Sequence, residues 1–129
     1  MYARSMHTGA GAQYRAIDVT SKIEGASPHR LVAILYEELV QALSTMKLAI
    51  RRTDGARQRD AQSRALMIVQ SLSSSLDFAR GGDIAGALSS VYAEVRRLTL
   101  LGGSSGDAEA VDRGQKLVAE IADAWNQIG

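Results

Sequence analysis

A chain of 129 residues carries 15 basic and 14 acidic side chains, a formal net charge of +1, and no cysteine. The near-neutral balance supplies no field to recruit nucleic acid or an anionic membrane, and the lack of cysteine excludes disulfides and thiolate chemistry. The length fits one domain able to bury a core. The sequence contains neither an apolar run of signal-peptide length at Met1-Tyr2-Ala3-Arg4-Ser5-Met6-His7 nor about 18 consecutive apolar residues anywhere, which reads as a soluble, cytoplasmic protein without membrane insertion.

Residues 1–13 are rich in Gly, Ala and Ser and carry no periodicity. Over residues 14–24, helical spacing brings Tyr14 and Ile17 together, but the segment is too short to hold a helix alone in water. Residues 1–25 therefore read as a flexible, loosely docked arm with one short helix, ended by Gly25.

Ser27-Pro28 is a capped helix start: the serine accepts from a free N–H of the first turn, and proline needs no N–H at the first helical position. Leu31, Leu35, Leu39, Ala42, Met46 and Ile50 then recur at helical spacing to about residue 53, with Val32, Tyr36, Val40 and Leu43 widening the stripe. The apolar arc covers about half the circumference, against nearer 100° for an ordinary surface helix. Thr53-Asp54-Gly55 ends it. A second helix is predicted over residues 57–80, with Ala61, Ala65, Ile68 and Leu72 on its face and Gly81-Gly82 as its stop. A third starts at Asp83 and runs to about Leu101, lined by Ile84, Leu88, Val91, Val95 and Leu98; Gly86 marks a close-packing position or a frayed first turn. Gly102 to Gly106 reads as a flexible loop, and Asp107 caps a fourth helix with Val111, Val118, Ile121 and Trp125 on its stripe. With no strand alternation and short connectors, residues 26–129 are predicted to form an all-α, antiparallel up-down four-helix bundle.

Reactive chemistry is sparse. The histidines are His7 and His29, and Glu37-Glu38 have no histidine at the spacing of a di-iron bundle, so no metal or other cofactor is expected. His29, at a helix start, reads as solvated or locally bonded rather than as part of a triad. No phosphate-binding glycine-lysine loop occurs. Arg51, Arg52, Arg57, Arg59 and Arg64 read as a solvated helix-loop-helix corner; base stacking would need interleaved aromatics, which this region lacks. Two alternatives to a binding protein stay open: a histidine phosphotransfer bundle using His29, and a self-associating structural bundle.

One ordered set of pieces carries a resemblance. Tyr14 stands in the arm; Ala26-Ser27-Pro28 precedes Leu31 and Leu35-Tyr36-Glu37; Leu72 and Leu76-Asp77 precede Gly81-Gly82-Asp83-Ile84-Ala85; Leu88 and Tyr92 follow, and Ala124-Trp125 lies near the end. Over about residues 13–128 the chain resembles the flagellar secretion chaperones of the FliS family. It departs from them at Leu100-Leu101-Gly102-Gly103-Ser104-Ser105-Gly106, where the family often has a small residue, Asn and a short acidic turn, and at Glu37, where it usually has Asp. The resemblance implies a cytosolic helical bundle without cofactor or enzymatic activity. It implies binding of the C-terminal segment of newly made flagellin, disordered in the free subunit, so that polymerisation waits for export. Other flagellar regulatory or export-apparatus proteins are further partners of this kind.

An apolar groove left along the first helix suits an amphipathic client helix. Tyr14 and Ile17 are expected to dock on it as a removable lid, and Leu35, Tyr36, Leu39, Leu43 and Tyr92 to include client contacts. The two tyrosines have the apolar body and polar edge suited to an interface. Trp125 is expected to plug the end of the core.

Overall fold

The computed structural model describes residues 23–128. Four helices fill it: α1 (Pro28–Arg51), α2 (Gly55–Ser74), α3 (Phe78–Ser105) and α4 (Ala108–Ile128). Each begins on a side chain that can accept from the first-turn N–H groups. Ser27 Oγ accepts from Arg30 N at 3.1 Å, and Asp54, Asp77 and Asp107 carboxylates accept from Arg57, Arg80 and Ala110 N–H groups at 3.1–3.2 Å. Such caps satisfy donors that the helix itself leaves without partners.

Connectors of two or three residues force neighbouring helices to run antiparallel. α1 packs on α2 and α4, and α3 packs on the same two, which closes a ring. Descending pairs show the direction of α4 against α1: His29 with Trp125, Val40 with Gln115, Lys47 with Asp112. Hydrogen bonds from Lys47 and Lys116 hold the Asp112 carboxyl below the usual carboxylate range. The core joins Tyr36, Leu39, Leu43 and Met46 of α1 to Ala65, Val69 and Leu72 of α2, Tyr92 and Val95 of α3, and Val111 and Val118 of α4. The all-α antiparallel bundle read from the sequence is the fold, and no strand occurs among the described residues. The arm residues Tyr14 and Ile17 lie outside the described residues.

Two boundaries differ from the sequence reading. The second helix stops at Ser74 rather than Arg80, because Asp77 caps a new helix at Phe78. The expected stop, Gly81-Gly82, lies inside α3, where Gly82 breaks the helical path at φ 49° and ψ −122°. The expected loop at residues 102–106 is also helical as far as Ser105. There Gly102 lets α3 meet the start of α4: a Cβ on it would clash with the Val111 side chain and lie 3.0 Å from the Asp107 carbonyl oxygen. Gly86 is not the close-packing position; a Cβ there meets nothing within 4 Å.

The arginine corner is solvated at Arg51, Arg52, Arg57 and Arg59, all exposed. Arg64 is different: it reaches the buried Glu38 carboxylate at 2.7 Å across the α1–α2 seam.

The α1–α2 corner contains a strained non-glycine residue. Thr53 has φ 56°, with its N–H donating to Ile50 O at 3.1 Å and the Asp54 N–H to Ala49 O at 2.9 Å. This is the double-bonded helix end normally built on glycine. Thr53→Gly is therefore expected to raise stability by about 1 kcal/mol in denaturant unfolding, by relieving a left-handed β-branched residue. Gly102→Ala is expected to lower it by about 1–3 kcal/mol, because Val111 and the Asp107 backbone must move.

Candidate functional site

One end of the bundle is where α1 begins, α2 ends, α3 begins and α4 ends. Its helices do not close fully. An apolar groove of about 340 Å³ opens there between Val32, Leu72, Leu76, Ile84, Ala85, Leu88 and Trp125, with Asp77 and Arg80 on its rim. Tyr36 and Tyr92 also line it, though each is almost wholly buried as a residue.

The tyrosines meet hydroxyl to hydroxyl at 2.6 Å, joining α1 to α3 through the middle of the bundle. Burial pushes both phenols above their ordinary pKa. At Tyr36 the bond to Tyr92 partly offsets this; at Tyr92 the bond to Tyr36 and the proximity of that phenol add to it. The pair is uncharged around neutral pH and caps the apolar interior with one shared hydrogen bond.

Trp125 forms the next wall. Its indole N–H donates to the His29 carbonyl oxygen at 2.9 Å, and His29 Nε2 lies 2.9 Å from the Trp125 carbonyl oxygen. The rings stack at 4.6 Å and 7°. The indole also meets Tyr36 in an edge arrangement, with ring centroids 6.3 Å apart. Two hydrogen bonds and a stacked face thus fasten the first turn of α1 to the last turn of α4. His29 is therefore neither solvated nor locally bonded as the sequence suggested; it is held by a residue 96 positions away. With Nε2 engaged and one ring face covered, it lacks the free exposure a phosphoryl-accepting histidine needs.

The expected contact residues separate by depth. Tyr36 and Tyr92 line the groove. Leu39 and Leu43 are 1% and 0% exposed, so they back the tyrosines from inside and offer a partner no surface in this conformation. Leu35 is half-buried against the core without lining the groove. Trp125 does pack at the end of the core, and its second role, as groove wall, was not read from the sequence. The same is true of Val32, Leu72, Leu76, Ile84 and Leu88, which the periodicity places only on helix stripes. The sequence signal that would have found Leu76 and Ile84 is Asp77-Phe78-Ala79-Arg80: a cap three residues before a donor, which starts a helix there and turns the flanking residues toward the opening.

A second hollow of about 580 Å³ lies at the opposite end, between α2 and α3, lined by Gly55, Gln58, Arg59, Gln62, Leu100, Leu101, Gly103 and Ser104. Of its two glutamines, Gln58 is used internally: its Nε2 donates to Gly103 O at 3.1 Å. At the neighbouring corner Arg51 lies 3.9 Å from the Glu109 carboxylate. Among the described residues no cluster of His, Asp or Glu could hold a metal ion, and no helix is long and apolar enough to cross a membrane.

The profile of the family described as "Flagellar protein FliS" matches residues 10–129. The chain is 34% identical over 125 residues to a flagellar secretion chaperone FliS of Salmonella typhimurium, covering 95% of this chain and 93% of the relative. A flagellar secretion chaperone FliS of Vibrio cholerae is 29% identical over 120 residues, covering 93% of this chain and 88% of the relative. A flagellar secretion chaperone FliSB of Pseudomonas aeruginosa is 26% identical over 116 residues, covering 90% and 92%.

The tyrosine pair gives a pH test. Above about pH 10 the phenols of the unfolded chain ionise, while the buried pair keeps its protons. The folded state then holds more protons than the unfolded one, so stability present below pH 10 is lost as pH rises. Tyr36→Phe/Tyr92→Phe is expected to lose less stability than the parent between about pH 9 and 11.5, followed by circular dichroism in urea. Tyr92→Phe alone, which leaves the Tyr36 hydroxyl without its partner, is expected to cost about 1–3 kcal/mol at neutral pH.

Proposed function

The chain belongs to the flagellar protein FliS family, and from that premise we propose that it is an export chaperone that captures the C-terminal segment of flagellin in the groove between α1, α2, α3 and α4. The observation that carries this is the exposed apolar rim. Ile84 is 72% exposed beside the half-buried Val32, Leu76 and Leu88, at a place where the other helices leave it uncovered. A disordered segment that folds on contact can lay an apolar helix face into such a groove. Ordering the segment offsets part of the gain, which keeps capture reversible, as release for export requires. No chemical step or nucleotide enters this mechanism.

Tyr36 and Tyr92 form the groove floor in this reading, while Leu35, Leu39 and Leu43 act through the packing behind it. Tyr14 and Ile17 remain the proposed lid. The chain enters α1 at Ser27, at the same end as the groove, so the arm preceding it starts within reach. Phosphotransfer by His29 is disfavoured by its engagement with Trp125. Pairing of two chains through the groove is the remaining competitor, and it differs in outcome: flagellin would then bind only as the dimer dissociates.

Ile84→Asp puts a charge on an exposed position and is expected to leave the thermal unfolding midpoint within about 2 °C, since surface changes rarely exceed 0.5 kcal/mol. In titration calorimetry with the flagellin C-terminal segment it should weaken binding at least about tenfold. Equal affinities for Ile84→Asp and the parent would remove the groove from the mechanism. Deleting residues 1–24 is expected to strengthen binding, because the lid no longer competes; an unchanged affinity counts against the lid and leaves the groove intact.

A further inference from the structure

Beside the groove, just past its lining residue Asp77, lies a feature that the bundle does not need. α3 begins with Phe78, the only phenylalanine of the chain, and its ring is largely solvent-exposed, at 56%. The turn that presents it is self-contained. The Asp77 carboxylate accepts from Arg80 N–H at 3.1 Å, the Gly81 N–H donates to Asp77 O at 2.7 Å, and the Asp77 and Arg80 side chains pair at 3.6 Å. After this single turn the helix breaks at Gly82, whose φ of 49° and ψ of −122° suit glycine and few other residues. Regular α3 resumes beyond it, with Ile84 exposed and Ala85 buried.

The turn therefore forms a rigid unit fixed to the body through the α2 end on one side and a glycine on the other. Asp77, Arg80 and Gly81 line the groove, so any rotation about Gly82 changes the groove's width. Two charged pairs near the mouth are matched within the chain, Asp77 with Arg80 at 3.6 Å and Glu37 with Arg30 at 3.4 Å. The groove itself is lined mainly by apolar side chains, which fits the apolar face of a client helix. Phe78 and Ile84, 56% and 72% exposed, flank the break, and exposed apolar surface grouped in this way marks an interaction site.

We propose that residues 78–81 form a lip, hinged at Gly82, that closes over the flagellin helix in the groove and brings the Phe78 ring onto it beside Ile84. This rests on the reading that flagellin occupies the groove. Contacts made after docking slow dissociation more than they speed association. The lip thus lengthens the residence time of the client and itself places no barrier on encounter. Gly82 suits the hinge because its φ of 49° and ψ of −122° are angles that a Cβ resists.

The test is stopped-flow or biolayer kinetics with the flagellin C-terminal segment, paired with hydrogen exchange of amides 78–82 in the free and loaded protein. Phe78→Ala is expected to raise the dissociation rate about tenfold with an association rate within about twofold of the parent. Gly82→Ala should have the same kinetic direction, and Met67→Ala, an exposed apolar residue on α2 outside the groove, no effect. Amides 78–82 should gain protection on loading. Parental binding together with unchanged dissociation in Phe78→Ala, or unchanged exchange at 78–82, overturns the lip and leaves the chaperone reading standing. Failure of the parent protein itself to bind the segment overturns both. Because Phe78 is exposed, its replacement keeps the fold, and circular dichroism checks this directly.

Discussion

The bundle depends on burial of one wide apolar face of α1. Both α2 and α4 pack on it, and Ile34, Leu39, Leu43 and Met46 are sealed between them. Removing such side chains from water is the main favourable term available to a chain of this size. α3 completes the ring from the far side and meets α1 through the Tyr36–Tyr92 bond. A helix with apolar surface on half its circumference needs two neighbours, and that requirement sets the topology once the connectors are short.

The size of the buried side chains then shapes the two ends differently. Toward the α1–α2 corner, Ala49, Ala61, Ala65, Gly102, Ala110 and Gly114 allow backbones to approach closely. At the other end Tyr36, Tyr92 and Trp125 stand between the helices, and interhelical spacing follows the side chains at the contact. Aromatic bulk keeps the helices apart where the groove opens, and the Trp125–His29 clamp limits how far they part. The fold's stability and the groove's width thus share the same three rings.

This sharing explains why the groove residues are hard to separate from core residues. Tyr36 closes the interior with its hydroxyl and edge contacts, yet it also lines the opening. Damage to such a residue changes folding and binding together. Ile84 on the groove and Phe78 beside it are free of that coupling, since solvent reaches most of each residue. On the proposed reading, selectivity for a client follows from the shape of the groove.

Much of this was legible in the residue order. The half-circumference stripe of α1, the Ser27-Pro28 start, the Asp107 cap and the absence of strand patterning determined an antiparallel helical bundle, because each depends on contacts within a few residues along the chain. The family likeness was equally legible through short pieces in a fixed order. Two things were decided only by tertiary packing. Gly102 reads as a loop residue until α4 is seen to press on it. Which leucines are interior and which border the groove depends on where four helices diverge. Periodicity reports only which face is apolar, and it carries no information on whether a neighbour covers that face.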